Sequence, residues 1–185
     1  DVHAVDAIGG VAGAQVRRAF FVLLGLLALL LLIRMGFVEV LKIVHWRRDS
    51  PSLTVDGAVR LTALFPGWEE RWYLKDSSKL SFPGDHASVL LIWAMLLSVY
   101  ARGRKLILIW SLTAFFMLPR LASGAHWASD DFVGGLFVSL MAFGWGFYSP
   151  YAAKASNLLE RLSAPVTRYL SKLPGLGRIS LISGR

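Results

Sequence analysis

The sequence predicts an all-α bundle of membrane-spanning helices. Hydrophobic residues make up 55% of its 185 residues and charged residues only 17%, whereas a soluble globular domain carries about 25% charged residues. Four long apolar segments, separated by polar stretches, account for this imbalance. Cysteine is absent from the sequence, which excludes a disulfide framework, a zinc–thiolate site and a cysteine nucleophile. The class that remains is an integral membrane protein.

The apolar segments differ in length and composition. They are Ala19–Trp46, Ala87–Ala101, Leu106–Leu118 and Phe132–Tyr148. The first would form a helix of about 42 Å, longer than the hydrocarbon core of a bilayer, so we expect it to tilt or to project. The second and third are short and need flanking residues to cross a membrane. The fourth is rich in glycine, which lets membrane helices approach one another closely.

The positive charges predict how the chain is oriented. The net charge is +8, and basic residues concentrate at Arg17-Arg18, in the turn Arg102–Lys105 and in the C-terminal tail. All three fall on one side of the predicted spans, and short loops rich in Lys and Arg stay in the cytoplasm. We therefore expect the two polar stretches to face outward, which in a bacterial inner membrane means the periplasm. The basic charge is explained by lipid and topology, without nucleic acid.

Composition also divides the chain into regions. Residues 1–16 form an N-terminal segment, and residues 17–150 form a membrane-embedded region whose long outward loop covers residues 47–85. Residues 151–185 form a tail with six basic residues and one acidic residue. We expect this tail to lie on anionic lipid at the cytoplasmic face.

Polar residues suited to phosphoryl transfer lie on the outward side, at the ends of the predicted spans. They are Lys42, Arg47 and Arg48, the stretch Ser81–His86 with Gly84 and His86, and Arg120 with His126 and Asp130. Guanidinium and ammonium groups neutralise a phosphate and the charge that develops on it. One histidine can attack phosphorus, a second can protonate the leaving oxygen, and a carboxylate can fix the tautomer of the attacking ring.

Spacing assigns parts to several of these residues. His126 and Asp130 are four residues apart, so in a helical turn the carboxylate of Asp130 accepts the N–H of one ring nitrogen and leaves the other free. Gly84 precedes His86 at the start of the second span. A glycine there lets the backbone approach an anion, and the free N–H groups of a helix start bind phosphate.

The basic residues near the end of the first span leave alternatives open. Lys42 and Arg48 do not share a helical face and converge only if that span ends close to Trp46. Lys42 and Arg47 are each either a phosphate contact or an interfacial anchor, and Glu39, three residues before Lys42, can neutralise it. Arg34 is expected to snorkel or to pair within the bundle.

Three motifs resemble the type-2 phosphatidic acid phosphatase superfamily. Pro119–Asp130 contains Arg-x5-His-x3-Asp, Phe82–His86 reads Phe-Pro-Gly-Asp-His where the family has Pro-Ser-Gly-His, and Lys42–Pro51 resembles a loosened Lys-x6-Arg-Pro. The resemblance implies a polytopic helical bundle with His126 as the nucleophile that forms a phosphohistidine, and His86 as the general acid. It also implies that Asp130 orients the nucleophile, that the cationic residues hold the phosphate, and that no metal or cofactor is needed.

Longer stretches resemble members of that family with one particular activity. The stretches are Arg47–Thr54, Lys75–His86 and Pro119–Asp130. Those members move phosphate from undecaprenyl diphosphate to the 1-phosphate of lipid A in the periplasm. The resemblance therefore implies a polyprenyl diphosphate donor and a lipid A acceptor among membrane lipids. Water as the acceptor, giving a lipid phosphate phosphatase, is the first alternative. A non-catalytic lipid-binding or transport protein is the second.

The sequence departs from the family pattern at three points, and the first is the Lys42–Arg48 spacing, which is one residue shorter than in Lys-x6-Arg-Pro, so that Arg47 is an alternative to Lys42. Asp85 stands where the family usually has Ser or Gly, so it either repels the substrate or hydrogen-bonds a neighbour. Members in membranes usually have six spans and this sequence shows four, and the simplest account is that two spans precede Asp1.

Overall fold

A computed structural model of the chain shows helices joined by loops, and the residues it describes contain no strand. It describes residues 2–46, 48–68, 71, 75–173, 175, 179 and 182, with only the backbone of residues 2–12. The helices are α1 (Val2–Ile43), α2 (Pro51–Thr54), α3 (Leu61–Leu64), α4 (Asp85–Tyr100), α5 (Arg104–Ala122), a π-helical segment (Asp130–Gly135), α6 (Leu136–Tyr148) and α7 (Tyr151–Leu170). The predicted all-α class is confirmed.

Three stretches of helix within the described residues are long and apolar enough to cross a membrane. They are Gly13–Ile43, Arg104–Ala122 and Asp130–Tyr148. The second predicted segment forms α4, a shorter apolar helix of 16 residues, against the roughly 20 that a membrane crossing needs. Many large apolar side chains of these helices are exposed, among them Leu32, Ile107 and Trp145. Such a surface suits lipid and not water.

The chain divides into two compact units. Residues 29–144 form one unit, and residues 1–28 together with 145–185 form the other. These divisions fall at different points from the predicted boundaries at residues 16 and 150. Because α1 continues without interruption through residue 16, no break in secondary structure marks the predicted N-terminal segment.

In the unit of residues 29–144, α4 and α5 form a helical hairpin. Gly103 makes the turn between them with φ of 60°, a value that glycine adopts without strain. Ala87 and Leu91 of α4 are buried against Met117 of α5. This contact fixes the start of α4, which carries Asp85 and His86, beside the end of α5, from which the chain continues to His126.

Glycines allow the π-helical segment to lie directly against the start of α4. A Cβ on Gly134 would lie 2.6 Å from the Phe82 ring and 2.9 Å from the Pro83 Cα, and one on Gly135 would lie 3.0 Å from the Ala87 Cβ. Real Cβ atoms almost never come within 3.0 Å of another heavy atom. The π-helical segment therefore lies against the backbone of Pro83 and Gly84 and against the side chains of Phe82 and Ala87, with no side chain of its own at Gly134 and Gly135.

In the unit of residues 1–28 and 145–185, α7 packs antiparallel to the first part of α1. The Tyr151 hydroxyl donates to the Gly25 carbonyl at 3.0 Å, and further along α7 Glu160 pairs with Arg17 at 3.0 Å. Between them, Arg18 donates to the Asn157 side chain at 2.9 Å. The predicted tail is thus helical over most of its length.

We predict that Gly134→Ala destabilises the protein by about 1–3 kcal/mol, because the new methyl group overpacks a contact with the Pro83 backbone. The matched control is Gly144→Ala, since nothing lies within 4 Å of a Cβ at Gly144. Thermal unfolding in detergent measures both. Equal unfolding temperatures for the two variants would show that the close contact at Gly134 does not limit packing.

Candidate active site

The carboxylate of Asp130 is the centre of the polar network in the unit of residues 29–144. It is fully buried, and its Oδ2 accepts a hydrogen bond from the Ser81 hydroxyl and another from the Trp127 N–H at 2.9 Å. Its Oδ1 accepts from Arg48 Nη1 at 3.1 Å. A buried charge is tolerated only when it is paired and hydrogen-bonded in this way.

Arg48 reaches Asp130 because the loop after α1 is tied to the loop before α4. The Ser81 N–H donates to the Arg48 carbonyl at 2.9 Å, and the Ser50 N–H donates to the Ser78 carbonyl at 2.9 Å. The guanidinium also donates to the Ser129 hydroxyl at 2.8 Å and lies 4.9 Å from the centre of the Trp127 ring. Arg48 is therefore held on several sides by the network.

The ring of His126 is buried and has two different environments. Nδ1 lies 2.8 Å from the Ser81 carbonyl, which can only accept a hydrogen bond, so Nδ1 carries a proton. Nε2 lies 3.4 Å from Asp85 Oδ1 and makes no hydrogen bond to any described residue. In the neutral ring the reactive lone pair is therefore on Nε2, on the side of Asp85.

Charge around His126 favours its protonated form. Burial by itself lowers the pKa of His126, but the Asp85 carboxylate and the Ser81 carbonyl outweigh burial and raise the pKa above its ordinary value. A proton bound at Nε2 blocks nucleophilic attack. The contact with Asp85 thus opposes the reaction that the orientation of the ring would allow.

The predicted contact between Asp130 and the His126 ring does not occur in the structure. Asp130 acts on the ring through Ser81, whose hydroxyl it binds and whose carbonyl faces Nδ1. The physical reason is local: His126 lies in the non-helical turn after α5, and helix resumes only at residue 128. A separation of four residues therefore does not place His126 and Asp130 on one helical face.

His86 and Arg120 line a cavity of about 290 Å³ in the same unit. The cavity is also lined by Leu30, Leu31, Arg34, Asp85, Ser88 and Val89. His86 is exposed there, and the guanidinium of Arg120 donates to the Lys75 carbonyl at 3.3 Å. Since Asp85 lines the cavity and contacts His126, the cavity and the buried histidine share one border.

The structure places the remaining predicted residues elsewhere. Lys42 is exposed and its Nζ binds Glu39 at 2.6 Å, which confirms the expected neutralisation of this lysine. The Gly84 N–H donates to the Asp130 carbonyl at 2.9 Å, so it is already bonded and not free to bind phosphate as predicted. A Cβ on Gly84 would clash with the Asp131 carboxylate, which gives this glycine a packing role. Arg47 lies outside the described residues.

Two residues of the site, Arg34 and Ser81, have contacts there that the sequence pattern does not assign. Arg34 reaches the cavity and lies 3.6 Å from Asp85, and Ser81 links Asp130 to His126. An arginine within an apolar span is itself a signal of function, because a charge there is costly. No comparable signal marks Ser81. Among the described residues, no group of three or more His, Cys, Asp or Glu is placed to hold a metal ion.

Comparison with known proteins defines the class. Residues 21–154 match the PAP2 superfamily, and this match covers most of the chain. The protein therefore belongs to the PAP2 superfamily of phosphatases and phosphotransferases, as its motifs predicted.

The chain is also similar to one enzyme of known name. Over 115 residues the chain is 30% identical to lipid A 1-diphosphate synthase of Escherichia coli (strain K12). The aligned part is 62% of this chain and 46% of the relative, so the chain spans less than half the length of the relative that it matches. No solved structure matches the chain.

We predict that Asp130→Asn lowers stability by about 1–3 kcal/mol, because the amide cannot accept from Arg48 and from the Ser81 and Trp127 donors together. The matched control is Asp131→Asn. Asp131 is equally buried, but its Oδ1 has no hydrogen-bond partner among the described residues, so its neutralisation leaves stability unchanged or raises it. Thermal unfolding in detergent measures both, and similar losses for the two variants would contradict the central position of Asp130.

Proposed function

We propose that the protein is a membrane phosphotransferase that works without a metal. It takes the terminal phosphate of undecaprenyl diphosphate through a phosphohistidine at His126 and passes it to the 1-phosphate of lipid A. The observation that supports this most is the ring of His126, held at Nδ1 by the Ser81 carbonyl with Nε2 left for attack. The lipid A 1-diphosphate synthase of E. coli, similar over 115 residues, supports the choice of substrates.

The proposed reaction has two steps. The Nε2 lone pair of His126 attacks the terminal phosphorus, an N–P bond forms, and the bond from phosphorus to the bridging oxygen breaks. His86 gives a proton to that oxygen, which leaves as the lipid monophosphate. An acceptor oxygen then attacks the phosphohistidine, the N–P bond breaks, and His86 takes the proton of the acceptor. Each group returns to its starting state.

The location proposed for this chemistry is the periplasmic side of the inner membrane. Support comes from the basic residues at Arg17-Arg18 and Arg102–Lys105, which the positive-inside rule assigns to the cytoplasm. With α4 crossing the membrane together with its flanking residues, the loops that bear Arg48, His86 and His126 lie on the opposite side. The isoprenoid chain of the donor stays in the bilayer while its diphosphate reaches the cavity.

Hydrolysis is the second candidate. His86 is exposed at the cavity, so water can reach the group that would activate an acceptor. A phosphatase acting on undecaprenyl diphosphate would use the same first step and release inorganic phosphate in the second. The two candidates differ only in the acceptor.

A labelled donor tests the proposal and separates these candidates. Undecaprenyl diphosphate with ³²P in its terminal phosphate is supplied to the purified full chain, with and without lipid A. We expect label to pass to lipid A, with little free phosphate while lipid A is present. Release of free phosphate at the same rate in both mixtures would establish the hydrolase instead.

His126→Ala should lose the activity in both mixtures and should not bind label covalently, whereas the unaltered chain should hold label in an acid-labile, base-stable bond. The matched control is His45→Asn, because His45 is exposed and outside the site, and asparagine tolerates its φ of 57°. A His126→Ala variant with full turnover would refute the proposed mechanism. A chain that binds the donor but never carries label would point to lipid binding or transport.

The acid side of the pH profile should depend on Asp85. Attack needs neutral His126, and its raised pKa moves the acid limb of kcat/KM to higher pH than an unperturbed histidine would give. Asp85→Asn removes the carboxylate that favours the protonated ring, so the pKa of His126 falls and the acid limb moves to lower pH. Asp56→Asn, on an exposed loop residue, is the control. An acid limb that stays in place in Asp85→Asn would show that another group sets it.

A further inference from the structure

We infer that Arg34 is a ligand of the substrate phosphate. We also infer that the carboxylate of Asp85 occupies the phosphate position before substrate binds, and that the substrate displaces it. The identity of the lipid substrate rests on the function proposed above, whereas the anion contact itself rests on the geometry of the site. No sequence motif predicts that Arg34 belongs to the site. The inference depends on its location beside the cavity and Asp85.

Arg34 reaches the cavity from α1. Its Nη2 lies 3.6 Å from Asp85 Oδ2, and its Nε is buried without a hydrogen-bond partner among the described residues. A guanidinium has five N–H donors, so this long contact leaves most of its capacity unused. Because a charged group in an apolar span is costly, we expect it to serve an anion.

Asp85 marks where that anion would sit. Its Oδ1 lies 3.4 Å from His126 Nε2, and its Oδ2 lies 3.6 Å from Arg34. One small anionic group therefore lies between the nucleophilic nitrogen and a guanidinium. A phosphate that is to be attacked by Nε2 must occupy this same place, with an oxygen toward Arg34. The two anions cannot share it, because like charges a few ångströms apart repel strongly.

Asp85 is able to leave this position. Its side chain is 43% exposed, and besides its longer contacts with His126 and Arg34 it accepts a hydrogen bond from the His86 N–H at 2.8 Å. That donor is at the start of α4, where water can replace the carboxylate. An arriving phosphate brings negative charge of its own to Nε2, so displacement changes the group that faces the ring and not the sign of the charge beside it. Displacement by substrate would therefore put phosphorus, in place of a carboxylate oxygen, in front of the nucleophile.

The walls of the cavity fit an amphiphilic phosphate. Leu30, Leu31 and Val89 form an apolar side, and the second guanidinium, that of Arg120, lines the same space. A lipid diphosphate could set its acyclic chain along the apolar side and share its phosphates between Arg34 and Arg120. Affinity for the phosphate would then depend on attraction by the arginines and on competition from Asp85.

Binding of inorganic phosphate to the full chain in detergent, measured by calorimetry, tests this inference. We expect Arg34→Gln to raise the phosphate Kd about tenfold or more, the size of a lost charge-assisted contact. Arg34→Lys should recover part of the affinity. Asp85→Asn should lower the Kd, since the competing charge is gone. Arg104→Gln, an exposed arginine outside the site, is the matched control and should leave the Kd unchanged.

A double variant guards against failure to fold. Arg34→Gln alone leaves Asp85 without its guanidinium partner, whereas Arg34→Gln with Asp85→Asn removes both charges. The double variant should bind phosphate about tenfold more weakly than Asp85→Asn alone. Equal affinities of these two would overturn the assignment of Arg34. A weaker affinity of Asp85→Asn than of the unaltered chain would overturn competition by Asp85.

The outcome is separable from the proposed function. Should the unaltered chain transfer no phosphate from lipid diphosphates, while Arg34→Gln still loses phosphate affinity, the function would fail and the inference would stand. Normal transfer with an unchanged phosphate Kd in Arg34→Gln would support the function and overturn the inference.

Discussion

The structure of the site depends on one buried carboxylate. Asp130 is stable in the interior because three donors from separate parts of the chain, Arg48, Ser81 and Trp127, converge on its two oxygens. The contact with Asp130 fixes each of these three residues. Most important is Ser81, because its carbonyl sets which nitrogen of His126 bears a proton. A charge that would otherwise be costly to bury is thus linked to the ring of His126 through Ser81, without touching the ring.

This convergence depends on a close approach of two backbone segments. Gly84, Gly134 and Gly135 remove the side chains that would separate the start of α4 from the π-helical segment. The Gly84 N–H can then donate directly to the Asp130 carbonyl at 2.9 Å. From the sequence, Gly84 was expected to bind phosphate, and Gly134 and Gly135 were expected to let helices pack closely. In the structure all three allow the two backbone segments to approach each other.

The sequence predicted what depends on local pattern and missed what depends on long-range contacts. Apolar segments and the Arg-x5-His-x3-Asp motif were enough for the helical class and for the PAP2 superfamily, and helical spacing was enough for the neutralisation of Lys42 by Glu39. The contact of Asp130 with His126 was predicted from helical spacing, and the turn at residue 126 is not helical. Arg34 and Asp85 are about fifty residues apart, and no spacing rule joins an arginine of one span to the first residue of another helix.

The distribution of charge also revises which cations are available to a phosphate. Arg48 shares one Nη between Asp130 and Ser129 and stacks on Trp127, so much of its charge stabilises the fold. Lys42 is bound to Glu39. The two arginines that line the cavity with His86 are Arg34 and Arg120, and the partner of Arg34 is a partly exposed carboxylate. The charge of Arg34 is thus balanced by Asp85, whereas Arg120 donates to the Lys75 carbonyl. If a substrate displaces Asp85 as proposed, it must itself supply the negative charge that Arg34 loses, which favours a phosphate over a neutral lipid headgroup.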